Sequence, residues 1–327
     1  MLIFLCNRLL QALLVLLAMS ALVFVGVFAI GNPVDLLLSP EADQIERLRT
    51  IAALGLDKPM AVQYLDFIGR ALHGDLGNSL VSATPAVGLI LERLPATLEL
   101  AFAALLIALS IGLPLGLFAG LRPGSRADSL IASISTIGFS MPGFWSGMLL
   151  IMIFGVEFHW LPTGGRGQTT QLLGVPVSFL NIDGLLHLLL PACNLALFNT
   201  ALIIRLARSG TSEAMQQDYV RFARAKGLSE GRIVRVHVLK NISIPIVTVV
   251  GMQFGATLAF AVVTETLFNW PGIGKLLIDS INLLDRPVIV AYLMMTVAMF
   301  VLINLTLDVI RVALDPRLRN RIGSAPL

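Results

Sequence analysis

Six stretches of the chain are apolar over enough residues to cross a lipid bilayer. A hydrocarbon core of about 30 Å needs about 20 helical residues, because each residue advances the helix by about 1.5 Å. Inside lipid the backbone must satisfy its own hydrogen bonds, so runs of this length predict helices. The stretches are residues 9–30, 96–121, 129–156, 185–204, 242–263 and 288–310.

The Lys and Arg residues of the short loops indicate how these stretches cross the membrane. Short cytoplasmic loops carry an excess of Lys and Arg. Residues 205–240 hold eight basic and three acidic residues, whereas Arg166 is the only basic residue of 157–184. Six crossings would put residues 205–240 on the same side as both termini. We therefore expect both termini to be cytoplasmic. The basic residues near the termini and in the loop after the second stretch are Arg8, Arg122, Arg126, Arg311, Arg317, Arg319 and Arg321.

Composition narrows the class of protein further. Hydrophobic residues make up 56% of the 327 residues and charged residues 13%, whereas a typical soluble domain has about 25% charged residues. Mean hydropathy is +0.86, which excludes disorder, since disorder requires low hydrophobicity and high charge. Too few charges remain to cover the surface of a water-soluble globule. The two cysteines, Cys6 and Cys193, match neither a disulfide framework nor a metal-ligand spacing.

These observations predict an all-α polytopic membrane protein with six transmembrane helices, divided into four regions. Residues 1–30 form the cytoplasmic N-terminus and a first helix, which is retained because its apolar run is longer than that of a signal peptide. Residues 31–95 form a small extracytoplasmic domain. Residues 96–311 form the core, with five transmembrane helices and a cytoplasmic loop at 206–241. Residues 312–327 form a cytoplasmic tail.

The cytoplasmic loop has the pattern of two short helices joined by a turn. Tyr219, Phe222 and Ala223 recur at i, i+3 and i+4, so they share one helix face. Gly227 stands where a glycine ends a helix, and Ser229 is a candidate N-cap of the second helix. Periodicity alone favours equally a basic amphipathic helix on anionic lipid headgroups and a hairpin that docks into another protein. The basic residues on other faces are Arg221, Arg224 and Lys226.

The particular residues of this loop favour docking. Residues 218–229 read D-Y-V-R-F-A-R-A-K-G-L-S, and His237, Asn241 and Pro245 follow. They resemble the cytoplasmic "EAA" loop of bacterial ABC-importer permeases of the oligopeptide, dipeptide and nickel branch. In that branch the loop typically reads D-Y-V-R-x-A-R-A-K-G-L-S before a His, an Asn and a Pro.

The resemblance extends over nearly the whole chain, with two departures. The branch usually has P-G-D-P where this chain has Gly31-Asn32-Pro33, and R-D-Y-P where it has Leu284-Asp285-Arg286-Pro287. Both lie in predicted outer segments, so they bear on the cargo and not on the family. The further matching segments are 55–68, 74–80, 94–101, 139–145 (F-S-M-P-G-F-W), 160–165, 265–277 (E-T-L-F-N-W-P-G-I-G-K-L-L), 285–288 and 304–317.

Membership of this branch would imply a set of partners. Two homologous permeases, here expected as a heterodimer, form the pore in the bacterial inner membrane. Two ATPase subunits bind their cytoplasmic loops, and an extracytoplasmic binding protein delivers the cargo. The chain has no G-x-x-x-x-G-K motif followed by Ser or Thr, so we expect partner subunits to bind ATP and Mg and this chain to bind no cofactor. Membrane lipid is a further partner, and no nucleic acid is expected.

The resemblance implies alternating access, in which ATP binding by the ATPase subunits draws the two loops together. It assigns contact with the ATPase to eight residues of the loop. Tyr219, Phe222 and Ala223 would enter a cleft of the ATPase as apolar contacts. Gly227 would allow a sharp turn, with a plain helix C-cap as the alternative. The eight residues are Asp218, Tyr219, Arg221, Phe222, Ala223, Arg224, Lys226 and Gly227.

Di- and oligopeptides are the expected cargo, and nickel chelates, opines and glutathione-like solutes are alternatives. Two other classes of protein fit the sequence less well. An ion-coupled secondary transporter would show inverted repeats and paired buried carboxylates. A membrane-embedded enzyme would need a nucleophile or a metal site, and the four histidines show no ligand spacing. The chain is therefore expected to be a transporter subunit and not an enzyme.

Three polar residues in or next to the apolar stretches are candidates for the pore or its gate. Glu99 and Glu265 stand near the predicted outer ends of two stretches, where cargo contact and simple solvation are equally favoured. Gln253 is a candidate pore-lining residue. Trp160 and Trp270 stand at predicted outer interfaces, where aromatic belts are expected.

Overall fold

The computed structural model describes residues 2–29, 43–53 and 57–314. The predicted departure at residues 31–33 and most of the predicted tail lie outside these ranges. The chain divides into two compact units. The first unit comprises residues 1–94 and 276–302, and the second comprises 95–275 and 303–327.

The described residues are mainly helical, and the long helices coincide with five of the six predicted apolar stretches. Five helices are long and apolar enough to cross a membrane. In chain order the helices are α1 (Leu2–Ala29), α2 (Gln44–Ala53), α3 (Met60–Leu72), α4 (Ala86–Leu121), α5 (Arg126–Ser140), α6 (Gly143–Leu150), α7 (Ile182–Met215), α8 (Asp218–Ala225), α9 (Glu230–Ile233), α10 (Leu239–Leu267), α11 (Ile273–Asn282) and α12 (Arg286–Leu314).

The third apolar stretch is broken, although the sequence predicts one helix there. Helices α5 and α6 meet at an angle of 106°. Met141 and Pro142 between them have extended backbones, with ψ of 128° and 133°. Proline disfavours helical conformation of the residue before it and has no N–H to donate. Residues 2–29, 43–53 and 57–314 therefore contain five continuous membrane-length helices, or six spans if the bent pair counts as one.

The described residues also contain a short β-hairpin and two stretches of π-type helix. A two-stranded antiparallel hairpin, β1 (Thr170–Leu172) and β2 (Val175–Val177), lies before α7 and was not predicted. Its two turn residues, Leu173 and Gly174, both have positive φ, as a tight hairpin turn requires. Wider π-type turns extend α6 over Ile151–Glu157 and join α9 to α10 over Val234–Val238.

Within the first unit, α3 packs along α1. The hydroxyls of Tyr64 and Ser20 share a hydrogen bond of 2.8 Å, and the Tyr64 ring lies edge-on to Phe24, with centroids 5.4 Å apart. A second contact holds the turn that precedes α4. The buried Asp285 carboxylate accepts hydrogen bonds from the Ser79 hydroxyl and from the Leu80 N–H.

Within the second unit, α4 and α7 pack closely through a row of glycines four residues apart. A Cβ atom at Gly116 would lie 2.6 Å from the Ala207 Cβ and 2.7 Å from the Ile204 carbonyl oxygen. Gly112 and Gly120 face α7 in the same way. Small residues at this spacing allow backbones in a membrane to approach closely. Gly251 of α10 likewise leaves room for Leu307 of α12.

Polar side chains join α7 to α10 inside the same unit. The Asn194 amide donates to the Thr264 hydroxyl over 3.0 Å and accepts from the Ser146 hydroxyl over 2.7 Å. The Asn199 amide donates to the Thr257 hydroxyl over 3.0 Å. Hydrogen bonds of this kind link neighbouring helices in a membrane, where unsatisfied polar groups are costly.

Candidate functional site

Residues 216–241, named here the basic hairpin, connect α7 to α10. Helix α8 forms its first arm, and α9 with the following π-type turn forms its second arm. Three buried side chains, Val220, Ala223 and Ile233, make a small core between the arms. Leu228 and Tyr219 pack against that core. The two arms therefore form one packed element and not a loose loop.

A Schellman motif closes the first arm. Gly227 has φ of +77°, and its N–H donates to the Arg224 carbonyl over 2.9 Å. The Leu228 N–H donates to the Ala223 carbonyl over 3.2 Å. These two bonds satisfy carbonyl groups that a helix end leaves open. The predicted turn at Gly227 is present, and no atom lies within 4 Å of the place a Cβ would take.

Tyr219 ties the first arm to the start of α10. Its hydroxyl accepts a hydrogen bond from the Asn241 amide, and its ring centroid lies 6.1 Å from that of His237. Tyr219 is only half-buried. The His and Asn that follow the loop motif in the sequence therefore contact the Tyr of that motif.

The outer face of the first arm is exposed and mostly charged. Phe222 is 63% exposed, and the Lys226 ammonium lies 4.6 Å from its ring centroid. Arg224 pairs with Glu230 of the second arm over 2.7 Å. This hydrogen bond raises the pKa of Arg224 above its ordinary value. Arg221 pairs with Asp218 over 3.4 Å, and both are largely exposed.

Tyr219, Phe222 and Ala223, which the sequence assigns to one contact face, differ in how much of each side chain is exposed. Phe222 points to solvent, whereas Ala223 is 4% exposed and belongs to the core of the basic hairpin. The expectation that Ala223 enters a partner's cleft does not fit this position. Val220 and Ala223 form the inner side of α8 because they follow the helical period that faces Ile233.

The basic hairpin is joined firmly to the long helices on both sides. Ala214 near the end of α7 packs with Val238 and Ile242 in one buried cluster. The second arm continues into α10, so that Glu230–Leu267 forms one long helical stretch. A displacement of the basic hairpin would therefore act on α7 and α10 together.

An ion pair that the sequence analysis did not identify lies on α7 near the basic hairpin. The Arg208 guanidinium donates to both oxygens of the buried Asp128 carboxylate, with 2.9 Å for the Nη2 bond. The Ser125 hydroxyl accepts from the Asp128 N–H over 3.1 Å and caps α5. The sequence does contain a signal for the start of α5, because Ser125 is followed three positions later by the acidic Asp128, as in a capping box.

At the other end of α10, Glu265 is completely buried. Its carboxylate accepts from the Thr97 hydroxyl over 2.6 Å. It also accepts from the N–H groups of Gly274 and Lys275, over 2.8 and 3.0 Å. These N–H groups belong to the first turn of α11, where a negative charge is stabilising. Glu265 therefore holds α11 against α10 and α4, and it does not face an open space.

The G-I-G segment before α11 fits around this carboxylate. A Cβ at Gly272 would overlap the Glu265 carboxylate, and one at Gly274 would lie 2.6 Å from the Val262 backbone. Trp270 is fully buried, and its indole N–H donates to the Ala96 carbonyl over 2.9 Å. The expectation of an interfacial Trp270 was wrong, because the turn after α10 folds the ring inward. Trp160 is exposed, and its place at a membrane interface stays a prediction.

Glu99 is buried in a second network of hydrogen bonds. The Arg166 guanidinium donates to it over 2.7 Å and also donates to the Pro176 carbonyl over 2.7 Å. The N–H groups of Ser178 and Phe179 donate to the other Glu99 oxygen, over 2.6 and 3.0 Å. Glu99, which belongs to α4, thus holds the residues on both sides of the β-hairpin against that helix. Both predicted gate carboxylates are structural contacts in this chain, and neither lines an open surface.

Gln253 is half-buried between helices. Its amide donates to the Asn199 carbonyl oxygen over 3.1 Å, which extends the polar contacts between α10 and α7. Of the three pore candidates, Gln253 is the most exposed. Its role in a pore stays a prediction.

Models of protein families match nearly all of the chain. Residues 112–320 match the model described as binding-protein-dependent transport system inner membrane component. Residues 1–101 match the N-terminal model of the membrane components of the same transport systems.

Curated relatives match over most of their length. The di/tripeptide transport system permease protein DppB of Pseudomonas aeruginosa (strain UCBPP-PA14) is 39% identical, over 89% of this chain and 90% of the relative. The oligopeptide transport system permease protein AppB of Bacillus subtilis (strain 168) is 37% identical, over 96% and 98%. The glutathione transport system permease protein GsiC of Escherichia coli (strain K12) is 38% identical, over 98% and 99%.

A solved structure shares the fold. A chain from the MetNI methionine ABC transporter, in inward-facing conformations, superposes with a TM-score of 0.53 at 16% identity. The match covers 69% of this chain and 96% of that chain. At this identity the likeness concerns the fold alone.

Proposed function

The chain belongs to the family of binding-protein-dependent transport system inner membrane components, and on this premise we propose that it imports di- and oligopeptides. It is a multi-pass permease subunit of an ABC importer and not an enzyme. The observation that carries the cargo proposal is identity of 37–39% to permeases named for dipeptides, di/tripeptides and oligopeptides, over at least 89% of the chain.

Glutathione is the second candidate cargo. The relative named for glutathione is 38% identical over 98% of the chain, so identity alone does not separate it from the peptide permeases. Glutathione and dipeptides share an amide backbone and free carboxylates, and they differ in size and in charge. A direct comparison of uptake separates them.

The cargo test is an uptake competition in cells that depend on this importer. Labelled dialanine is the substrate, and unlabelled trialanine or glutathione is the competitor. The proposal predicts that trialanine suppresses uptake at concentrations where glutathione has little effect. Suppression by glutathione alone would replace the peptide proposal with the second candidate.

We infer that the basic hairpin is the contact for an ATPase subunit. Phe222 supports this role, because a large apolar side chain that is 63% exposed on a rigid, charged helix is suited to a protein contact. The Lys226 ammonium lies 4.6 Å from the centroid of the Phe222 ring, and Arg221 and Arg224 are exposed on the same short helix. In this proposal ATP and Mg bind to two ATPase subunits, a second permease completes the pore, and an extracytoplasmic protein delivers the cargo.

The proposed mechanism uses the connection of the basic hairpin to two long helices. When ATP binding closes the ATPase pair, the two hairpins of the permease pair move towards each other. The packed core around Val220 transmits that movement to α7, and the continuous second arm transmits it to α10. Since α7 and α10 are joined by side-chain hydrogen bonds, they move as a pair and open the pore outward. Hydrolysis then returns the hairpins to their first positions.

A pair of matched variants tests the contact. Phe222→Asp should abolish cargo-stimulated ATPase activity of the assembled importer and leave the thermal stability of the chain unchanged, because the side chain is exposed. Val236→Asp is the control, since Val236 is 50% exposed on the second arm. Equal losses of activity in both variants, or none in either, would contradict a contact centred on Phe222.

The proposed orientation, with both termini cytoplasmic, has its own test. A reporter protein that is active only in the cytoplasm is fused to the C-terminus, and a second fusion places it after Gly174 in the β-hairpin. Activity is expected from the first fusion and not from the second. The reverse result would invert the proposed topology.

A further inference from the structure

Arg286, the first residue of α12, is a buried cation whose Nε–H has no acceptor among the described residues. The residue is 6% exposed. Its Nε atom is buried and has no hydrogen-bond partner. Within the described residues, no carboxylate, carbonyl or hydroxyl oxygen accepts from the Arg286 guanidinium. Proteins rarely bury a charge in this way, because removing a guanidinium from water without a partner is strongly unfavourable.

The neighbouring carboxylate does not fill this need. Asp285 is also buried, but one of its oxygens accepts from the Ser79 hydroxyl and the other from the Leu80 N–H. No ion pair joins Asp285 to Arg286 among the described residues. The Asp285 carboxylate is thus directed to the turn before α4, and among the described residues the Nε–H of the neighbouring Arg286 has no acceptor.

A paired arginine elsewhere in the chain shows the usual arrangement. The Arg166 side chain is 11% exposed. Its guanidinium donates to the Glu99 carboxylate, the Ser178 hydroxyl and the Pro176 carbonyl. Both arginines are largely buried, and they differ in whether the described residues supply an acceptor.

We propose that Arg286 is a binding site for a carboxylate of the transported solute. A guanidinium presents a planar set of N–H donors that matches a carboxylate, and the pair is strong when water is excluded. The residue is not completely enclosed, since 6% of its surface is exposed. The residue also stands in a segment predicted to face outside, where cargo would arrive. This proposal rests on the proposed import of peptides for the identity of the solute, whereas the site itself requires only a carboxylate.

The first test measures the stability of the full-length chain in lipid nanodiscs without solute. Arg286→Met keeps the length of the side chain and removes the charge, so it should raise the apparent Tm. Arg166→Met is the matched control and should lower the Tm, since it leaves the buried Glu99 unpaired. A fall in Tm for Arg286→Met comparable to that of Arg166→Met would overturn the proposal.

The second test adds millimolar probes to the same samples. Dialanine and acetate should each raise the Tm of the wild-type chain, by about 2 °C at saturation, and dialanine amide should not. Arg286→Met should remove the response, and Arg286→Lys should keep a weaker one. A response of Arg286→Met equal to that of the wild type would overturn the proposal.

The remaining outcomes separate this site from the proposed function. A response to acetate without a response to dialanine would support the carboxylate site and count against peptides as the cargo. A higher Tm for Arg286→Met together with no response to any small carboxylate would overturn the proposal and assign the missing acceptor to a partner protein.

Discussion

Helix α10 carries charged regions at both ends, and the two regions differ in how their charges are used. At its start, the basic hairpin exposes Arg221 and Arg224 in ion pairs that water reaches. At its end, the Glu265 carboxylate is fully buried and accepts three hydrogen bonds. Exposed ion pairs add little to stability, whereas a buried carboxylate is costly to disturb. The difference indicates that one end maintains the fold and the other is available to a partner.

The largest loss of stability is expected for Glu265→Ala, at the buried end of α10. It leaves the Thr97 hydroxyl and the N–H groups of Gly274 and Lys275 without an acceptor. We expect a loss of about 3 kcal/mol, which corresponds to a fall of about 6 °C in apparent Tm. Thermal unfolding in lipid nanodiscs measures it. Glu157→Ala, at an exposed position, is the control, and equal Tm values for the two variants would refute a structural role for Glu265.

The second buried network predicts a coupling between Glu99 and Arg166. Each single change to Ala strands the charge of the other residue, so each should destabilise the chain by about 2–3 kcal/mol. The double variant should cost clearly less than the sum, with a coupling energy of about 2 kcal/mol. A double-mutant cycle of unfolding free energies measures this quantity. Strict additivity would mean that the pair contributes nothing specific.

An intermediate loss of stability is expected at Gly227, which ends the first arm of the basic hairpin. Gly227→Ala forces a Cβ into a backbone with positive φ, at a cost of about 1 kcal/mol, although no atom obstructs it. The cost should appear as local opening of the turn. Hydrogen exchange at the Leu228 amide should become about 5-fold faster, while the Tm of the chain stays the same. An unchanged exchange rate would contradict the observed Schellman turn.

The smallest effect is expected for Arg224→Ala. Its partner Glu230 is exposed, so water and salt screen the pair. The Tm should equal that of the wild type at low and at high salt. A salt-dependent fall in Tm would show that this ion pair stabilises the basic hairpin, and would weaken the contrast between the two ends of α10.

Hydropathy and turn chemistry predicted much of the fold. The long apolar runs became helices because lipid leaves the backbone no other partner, and Gly227 took the positive φ expected of a helix-ending glycine. The break between α5 and α6 was not predicted, since a proline in an apolar run is compatible with either a kink or a break. The β-hairpin was missed because its two strands have three residues each.

The roles of the polar residues were harder to predict than the helices. The sequence indicated that Glu99 and Glu265 were unusual, but their acceptor roles depend on contacts between distant segments. Glu265 meets Thr97 across 168 positions of the chain. Trp270 was assigned to an interface because that is the common place of tryptophan in membrane proteins, and burial against Ala96 overrode this tendency. Periodicity also left open which side of α8 faces inward, and so misplaced Ala223.

The most direct test of the account is cross-linking of the basic hairpin to a partner subunit in the assembled importer. Phe222→Cys and Val236→Cys are made in a chain whose Cys6 and Cys193 are replaced by alanine, and a short thiol cross-linker is added to membranes. Phe222→Cys should give a product that joins this chain to an ATPase subunit, and Val236→Cys should give little. Copurification of the ATPase subunits without any product from Phe222→Cys would contradict a contact between the basic hairpin and the ATPase.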